Sequence, residues 1–169
     1  MSAIAHFIHH LSEITGRIVA WLVVFLVCLT FYDVLMRYLF NAGSVALQEL
    51  EWHLFSVILL LGASYTLKHR EHVRVDLIYA STRLSDRYRD CVDLVGNLCF
   101  LLPFCTLIIV SSMPFIETAY LAAEHSPDPG GLNYRWLLKA MIPLGFLLLA
   151  LQGFADSLDI IQRIRNKRS

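Results

Sequence analysis

Leu94 to Ile116 reads L-V-G-N-L-C-F-L-L-P-F-C-T-L-I-I-V-S-S-M-P-F-I, with no charged side chain between Asp93 and Glu117. At about 1.5 Å per residue a helix over it rises ~34 Å, enough to cross a hydrocarbon core of about 30 Å. Lipid cannot hydrogen-bond an open backbone, so a spanning segment must be a helix or a strand of a closed barrel. Three further runs accompany it: Ile18 to Tyr32 between Arg17 and Asp33, Trp52 to Leu67, and Ala140 to Ala155. Four such runs are too few to close a barrel. The expected fold is therefore all-α and integral to the membrane: four transmembrane helices in one domain over residues 1–169, with spans near 14–36, 50–68, 90–116 and 137–160.

Composition agrees. Apolar residues make up 57% of the chain, the balance of a membrane protein. Lys and Arg number 14 against 14 Asp and Glu, so no basic surface calls for nucleic acid. Their placement is informative, because basic residues stay on the cytoplasmic side. Lys68, Arg70, Arg74, Arg83, Arg87 and Arg89 lie between spans two and three, and Arg163, Arg165, Lys167 and Arg168 follow span four. The other two connections hold only Arg37, Arg135 and Lys139. Both termini are expected in the cytoplasm. No small-residue cleavage site closes the first apolar run, which reads as a retained helix and not a signal peptide.

Between spans three and four, S-P-D-P-G-G from Ser126 to Gly131 breaks any helix. Pro103 and Pro143 lie inside spans, where a kink is expected. Between Glu71 and Leu84 the apolar positions Val73, Leu77, Ala80 and Leu84 follow helical spacing among arginines. That pattern suits an amphipathic segment lying in the membrane interface, with its arginines on lipid phosphates.

Few residues suggest chemistry. Cys28, Cys91, Cys99 and Cys105 show neither C-x-x-C spacing nor a zinc set and read as core or lipid-facing residues. Asp33 and Arg37 share one helix face in the favourable order for an ion pair. An intramembrane carboxylate raises the idea of a proton or cation relay. A pair that fixes the helix end, or meets a partner, is the preferred reading. Glu49, Trp52, His53 and Ser56 recur at helical spacing and give span two one polar face. A haem would need a second histidine at matching depth, so His53 reads as packing or partner contact. Asp86, Asp90, Asp93 and Asn97 line a face leading into span three, read as paired or helix-joining groups. No phosphate loop, metal cluster or activated nucleophile is recognisable, so the chain is expected to be no enzyme and to carry no cofactor.

Several motifs together resemble a known family. R-Y-L-F from Arg37 to Phe40 closes span one, and Q-E-L-E-W from Gln48 to Trp52 opens span two, ahead of Gly62 and Ala63. H-V-R-V-D from His72 to Asp76 follows span two, and I-P-L-G from Ile142 to Gly145 lies in span four. In this order they resemble the small membrane subunit of tripartite ATP-independent periplasmic (TRAP) transporters, the DctQ-like proteins, over nearly the whole chain. The resemblance implies a bacterial inner-membrane protein bound to a large membrane subunit that carries the substrate and sodium sites, with a periplasmic binding protein delivering an organic acid or related solute. It also implies structural or interfacial roles for Arg37, Glu49, Glu51, His72 and Asp76, to which Asp33 and Trp52 are joined by position. The Glu124 to Lys139 connection resembles the branch linked with mannitol and chloroaromatic-type compounds. Competing readings are a small proton-coupled multidrug exporter, whose acid would sit in mid-span, and the membrane anchor of a respiratory enzyme. A disulfide-generating oxidoreductase would need outer cysteine pairs.

Overall fold

A computed structural model describes residues 3–69 and 86–166. Its elements are α1 (Ala3–Leu39), α2 (Val45–Lys68), α3 (Asp86–Val95), a π-helical stretch (Gly96–Leu101), α4 (Leu102–Leu121) and α5 (Trp136–Asn166). Among the described residues, four helices are long and apolar enough to cross a membrane: Ile4–Leu39, Val45–Lys68, Tyr88–Leu121 and Trp136–Asn166. His72, Asp76 and the expected interfacial segment lie outside the described residues.

Local chemistry accounts for the breaks. α1 ends at Leu39, just before Asn41, whose φ of 51° is left-handed, while Ala42 N–H reaches back to the Met36 carbonyl at 3.0 Å. That bond, reaching six residues back to a carbonyl that Phe40 N–H also bonds at 3.2 Å, closes the end of the helix, and asparagine tolerates the conformation. The π-helical stretch falls just before Pro103, which has no N–H and whose ring would press on the carbonyl one turn earlier. A widened turn there relieves the clash. At Pro143 the helix continues unbroken from Trp136 to Asn166.

α1 and α2 form an antiparallel pair, α2 runs parallel to α5, and α4 runs antiparallel to α5. The pairing is read from the close approach of Gly62 to Val19, of Gly145 to Leu60, and of the Phe104 and Phe146 rings, whose centroids lie 5.8 Å apart. α5 thus lies at the centre, against α1, α2 and α4.

α1 begins well before the apolar run because its first turns pack on the last turns of α5. Ala5, Ile8 and Ala155 form a buried cluster, with Leu151 against it. Beside it lies a polar network. Ser12 Oγ donates to Gln152 Oε1 at 2.7 Å, and Gln152 Nε2 meets His9 Nδ1 at 3.0 Å and Asp156 Oδ1 at 2.9 Å. His9 Nε2 lies 3.0 Å from Asp159 Oδ2. Gln152 is fully buried, and a buried amide is tolerated only with its hydrogen bonds made. At the same end Lys68 Nζ donates to Glu13 at 2.6 Å, and Arg163 lies 3.7 Å from Asp90.

Candidate functional site

The candidate site lies at the opposite end of the bundle, where α1 stops, α2 and α5 start, and the 122–135 connection folds over them. α2 brings Glu49 to this surface one turn after its start, with only 6% of the residue exposed. Its Oε1 accepts from the Ser126 hydroxyl and its Oε2 from the Leu132 N–H, the latter at 2.5 Å. Both carboxylate oxygens are thus bound within the chain.

The connection is shaped to deliver these donors. Gly131 N–H bonds the Asp128 carbonyl at 3.0 Å, with Pro129 and Gly130 between them and Gly130 at φ 82°, the pattern of a type II turn. Ser126 N–H then reaches Leu132 O at 3.1 Å, and Arg135 N–H reaches Glu124 O at 3.3 Å. A side chain at Gly131 would run into Ser126 Oγ and Glu49 Oε2, so the close wrap requires its hydrogen.

Asp33 and Arg37 form the i,i+4 pair, with the Asp33 side chain buried and the Arg37 side chain 43% exposed. Asp33 Oδ1 has no hydrogen-bond partner among the described residues. Glu51 Oε1 is likewise buried without one. Trp52 stacks obliquely on His53, their centroids 3.9 Å apart, and carries the Arg135 guanidinium 5.5 Å above its ring. His53 Nδ1 lies 2.6 Å from the Glu49 carbonyl, an ordinary helix-face contact. Lys139 binds Glu124 and lies 3.9 Å from the centre of the Phe115 ring.

Below these residues a cleft of about 420 Å³ opens between α2 and α4 over α5. Its walls include Phe55, Leu59, Phe115 and Ile142, and Trp52, Arg135 and Lys139 stand at its mouth. Among the described residues no group of His, Cys, Asp and Glu is placed to hold a metal ion.

Four apolar helices with polar groups gathered at their ends, and motifs in TRAP order, are matched by family comparison. Residues 26–163 match the family described as tripartite ATP-independent periplasmic transporters, DctQ component. The chain belongs to this family. It is 29% identical to the C4-dicarboxylate TRAP transporter small permease protein DctQ of Vibrio cholerae, over 89% of this chain and 74% of that protein. It is also 29% identical to a protein described as a TRAP transporter small permease of Haemophilus influenzae, over 47% of each chain. The protein is thus a small membrane subunit of a TRAP transporter, multi-pass in the inner membrane.

The structure brings together Glu49, Trp52 and Arg135, the last of which the motif reading did not single out. It also joins His9 and Ser12 to Gln152 and Asp159, which sequence inspection left unassigned. Ser12 and Gln152 lie 140 residues apart in the chain and His9 and Asp159 150, and no local pattern connects them.

Proposed function

We propose that this chain is a non-catalytic frame for the large TRAP membrane subunit. That subunit would carry the substrate and sodium sites, and a periplasmic binding protein would supply an organic acid or related solute. The observation that supports a frame is that the bundle is fastened at both ends. Glu49 ties α2 to the 122–135 connection at one end, while Ser12–Gln152, His9–Asp159 and Glu13–Lys68 tie α1 to α5 and α2 at the other. Alternating access needs an element with two arrangements, and one so pinned suits the static side of the machine. Arg37, exposed beside the buried Asp33, and Trp52 are the residues best placed to meet a partner. The name of the Vibrio relative supports a dicarboxylate as the first solute to try.

Reconstituted alone, the chain is expected to give no uptake of succinate under a sodium gradient, and uptake should appear when the large subunit and binding protein are added. Uptake by this chain alone, above that of empty vesicles, would overturn the proposal.

The charge asymmetry further supports placing the 122–135 connection in the periplasm and the start of α1 in the cytoplasm. In a background lacking native cysteines, a membrane-impermeant thiol reagent should label Asp128→Cys from outside and spare His10→Cys. The opposite pattern would reverse the orientation.

A further inference from the structure

We propose that the cleft between α2 and α4 binds one glycerophospholipid, its acyl chain between the helices and its phosphate on Arg135. The cleft runs along α2 from Trp52 to Leu60, a rise of about 12 Å, close to the ~15 Å of one leaflet's hydrocarbon. Its deeper walls, Phe55, Leu59, Leu60 and Ile142, offer a guest no charged group, so a polar solute there would lose its hydration uncompensated. An acyl chain has no such need.

The charged groups are confined to the mouth, and their pairing singles out one of them. Glu49 is bound to Ser126 and Leu132, and Glu124 is bound to Lys139. The Arg135 guanidinium has no carboxylate within ion-pair distance among the described residues and rests on the Trp52 ring. A guanidinium presents a planar fork of donors that fits phosphate oxygens, and stacking on indole holds it in place without using those donors. Its depth is right as well: Trp136, next in the chain, packs edge-to-face on Tyr120 with ring centroids 5.4 Å apart, Trp52 stands at the mouth, and such aromatic residues mark the headgroup boundary. Two acids and two bases surround the mouth, so the feature recognised is the phosphate common to these lipids and not a net headgroup charge.

The test is native mass spectrometry of the full-length protein, with whatever subunits copurify, transferred from membranes to detergent and titrated with dioleoyl phosphatidylglycerol or dioleoyl phosphatidylethanolamine. Wild type should retain one phospholipid of either kind, and Arg135→Gln should weaken retention about tenfold. Ser56→Phe, which keeps Arg135 but fills the chamber, should weaken it comparably, with helix content unchanged. Inorganic phosphate in excess should displace little, because it lacks the chain. Equal retention in all three proteins overturns the proposal. So does displacement by inorganic phosphate alone, which would reveal a simple anion site. A photoreactive residue at position 56 that crosslinks to a protein subunit instead of lipid would assign the cleft to a partner's side chain, and the proposal would fall.

Discussion

Gly145→Ala is expected to produce a large loss of stability for a single methyl added to the interior of the bundle. A Cβ at this position would lie 2.7 Å from the Leu60 carbonyl oxygen and 2.9 Å from Leu60 Cβ. The obstacle is the backbone of α2, whose carbonyl belongs to the helix ladder and cannot rotate away. The two helices would have to separate, and interhelical packing in lipid rests largely on such close contact between small residues. Overpacking typically costs about 1–3 kcal/mol, and the rigid obstacle here puts the change at the upper end. Two other glycines supply an internal scale. At Gly153 the added methyl meets the end of the Leu101 side chain, which can turn, so a smaller loss is expected. At Gly62 it would lie 3.6 Å from Val19 Cγ1, an ordinary contact, and Gly62→Ala should be close to neutral. Thermal unfolding in detergent, followed by size-exclusion of the surviving monodisperse fraction, reads the order. If Gly145→Ala melts with wild type, the α2–α5 approach does not limit stability.

The second large effect is expected at Glu49. Removing its carboxylate in Glu49→Ala strands the Leu132 N–H and the Ser126 hydroxyl, each a buried or half-buried donor worth about 1–3 kcal/mol when left unmade. The 122–135 connection should detach from α2 while the four helices remain, because no apolar contact in the bundle is lost. Glu49→Gln is the informative companion. Its amide oxygen can keep the Leu132 N–H, while its NH₂ faces a serine hydroxyl that is free to turn and accept, so much of the anchoring should survive. Limited proteolysis near Asp128 should accelerate severalfold in the alanine variant and little in the glutamine variant. If the connection near Trp52 helps present the bundle to the large subunit, copurification should weaken in the same order. Equal protease resistance in all three proteins would mean that the loop is held by something other than Glu49.

Both effects concern residues the motifs had brought forward, Gly145 through I-P-L-G and Glu49 through Q-E-L-E-W, yet the motifs did not say what either residue touches. Local reasoning went far where the cause is local. The length of an uncharged run decides whether a helix can span, the spacing of Asp33 and Arg37 decides that they meet, and Pro129 with Gly130 decides that the chain turns. The extent of α1 was a different matter. Its first turns are polar on one side, and only their packing on α5 shows why the helix includes them.

From its own residues the chain thus determined four apolar helices, their separating turns and the charge asymmetry across them, because hydropathy, proline and glycine act over a few residues. Tertiary structure alone decided which face of each helix turns inward, and with it the Glu49–Ser126–Leu132 anchor, the His9–Ser12–Gln152–Asp159 network and the cleft beneath Arg135. The physical reason is that helices apolar all round carry no hydropathy signal for their own rotation. In lipid that rotation is set by where small residues let backbones approach and where buried polar groups find partners, and both depend on residues far away in the chain.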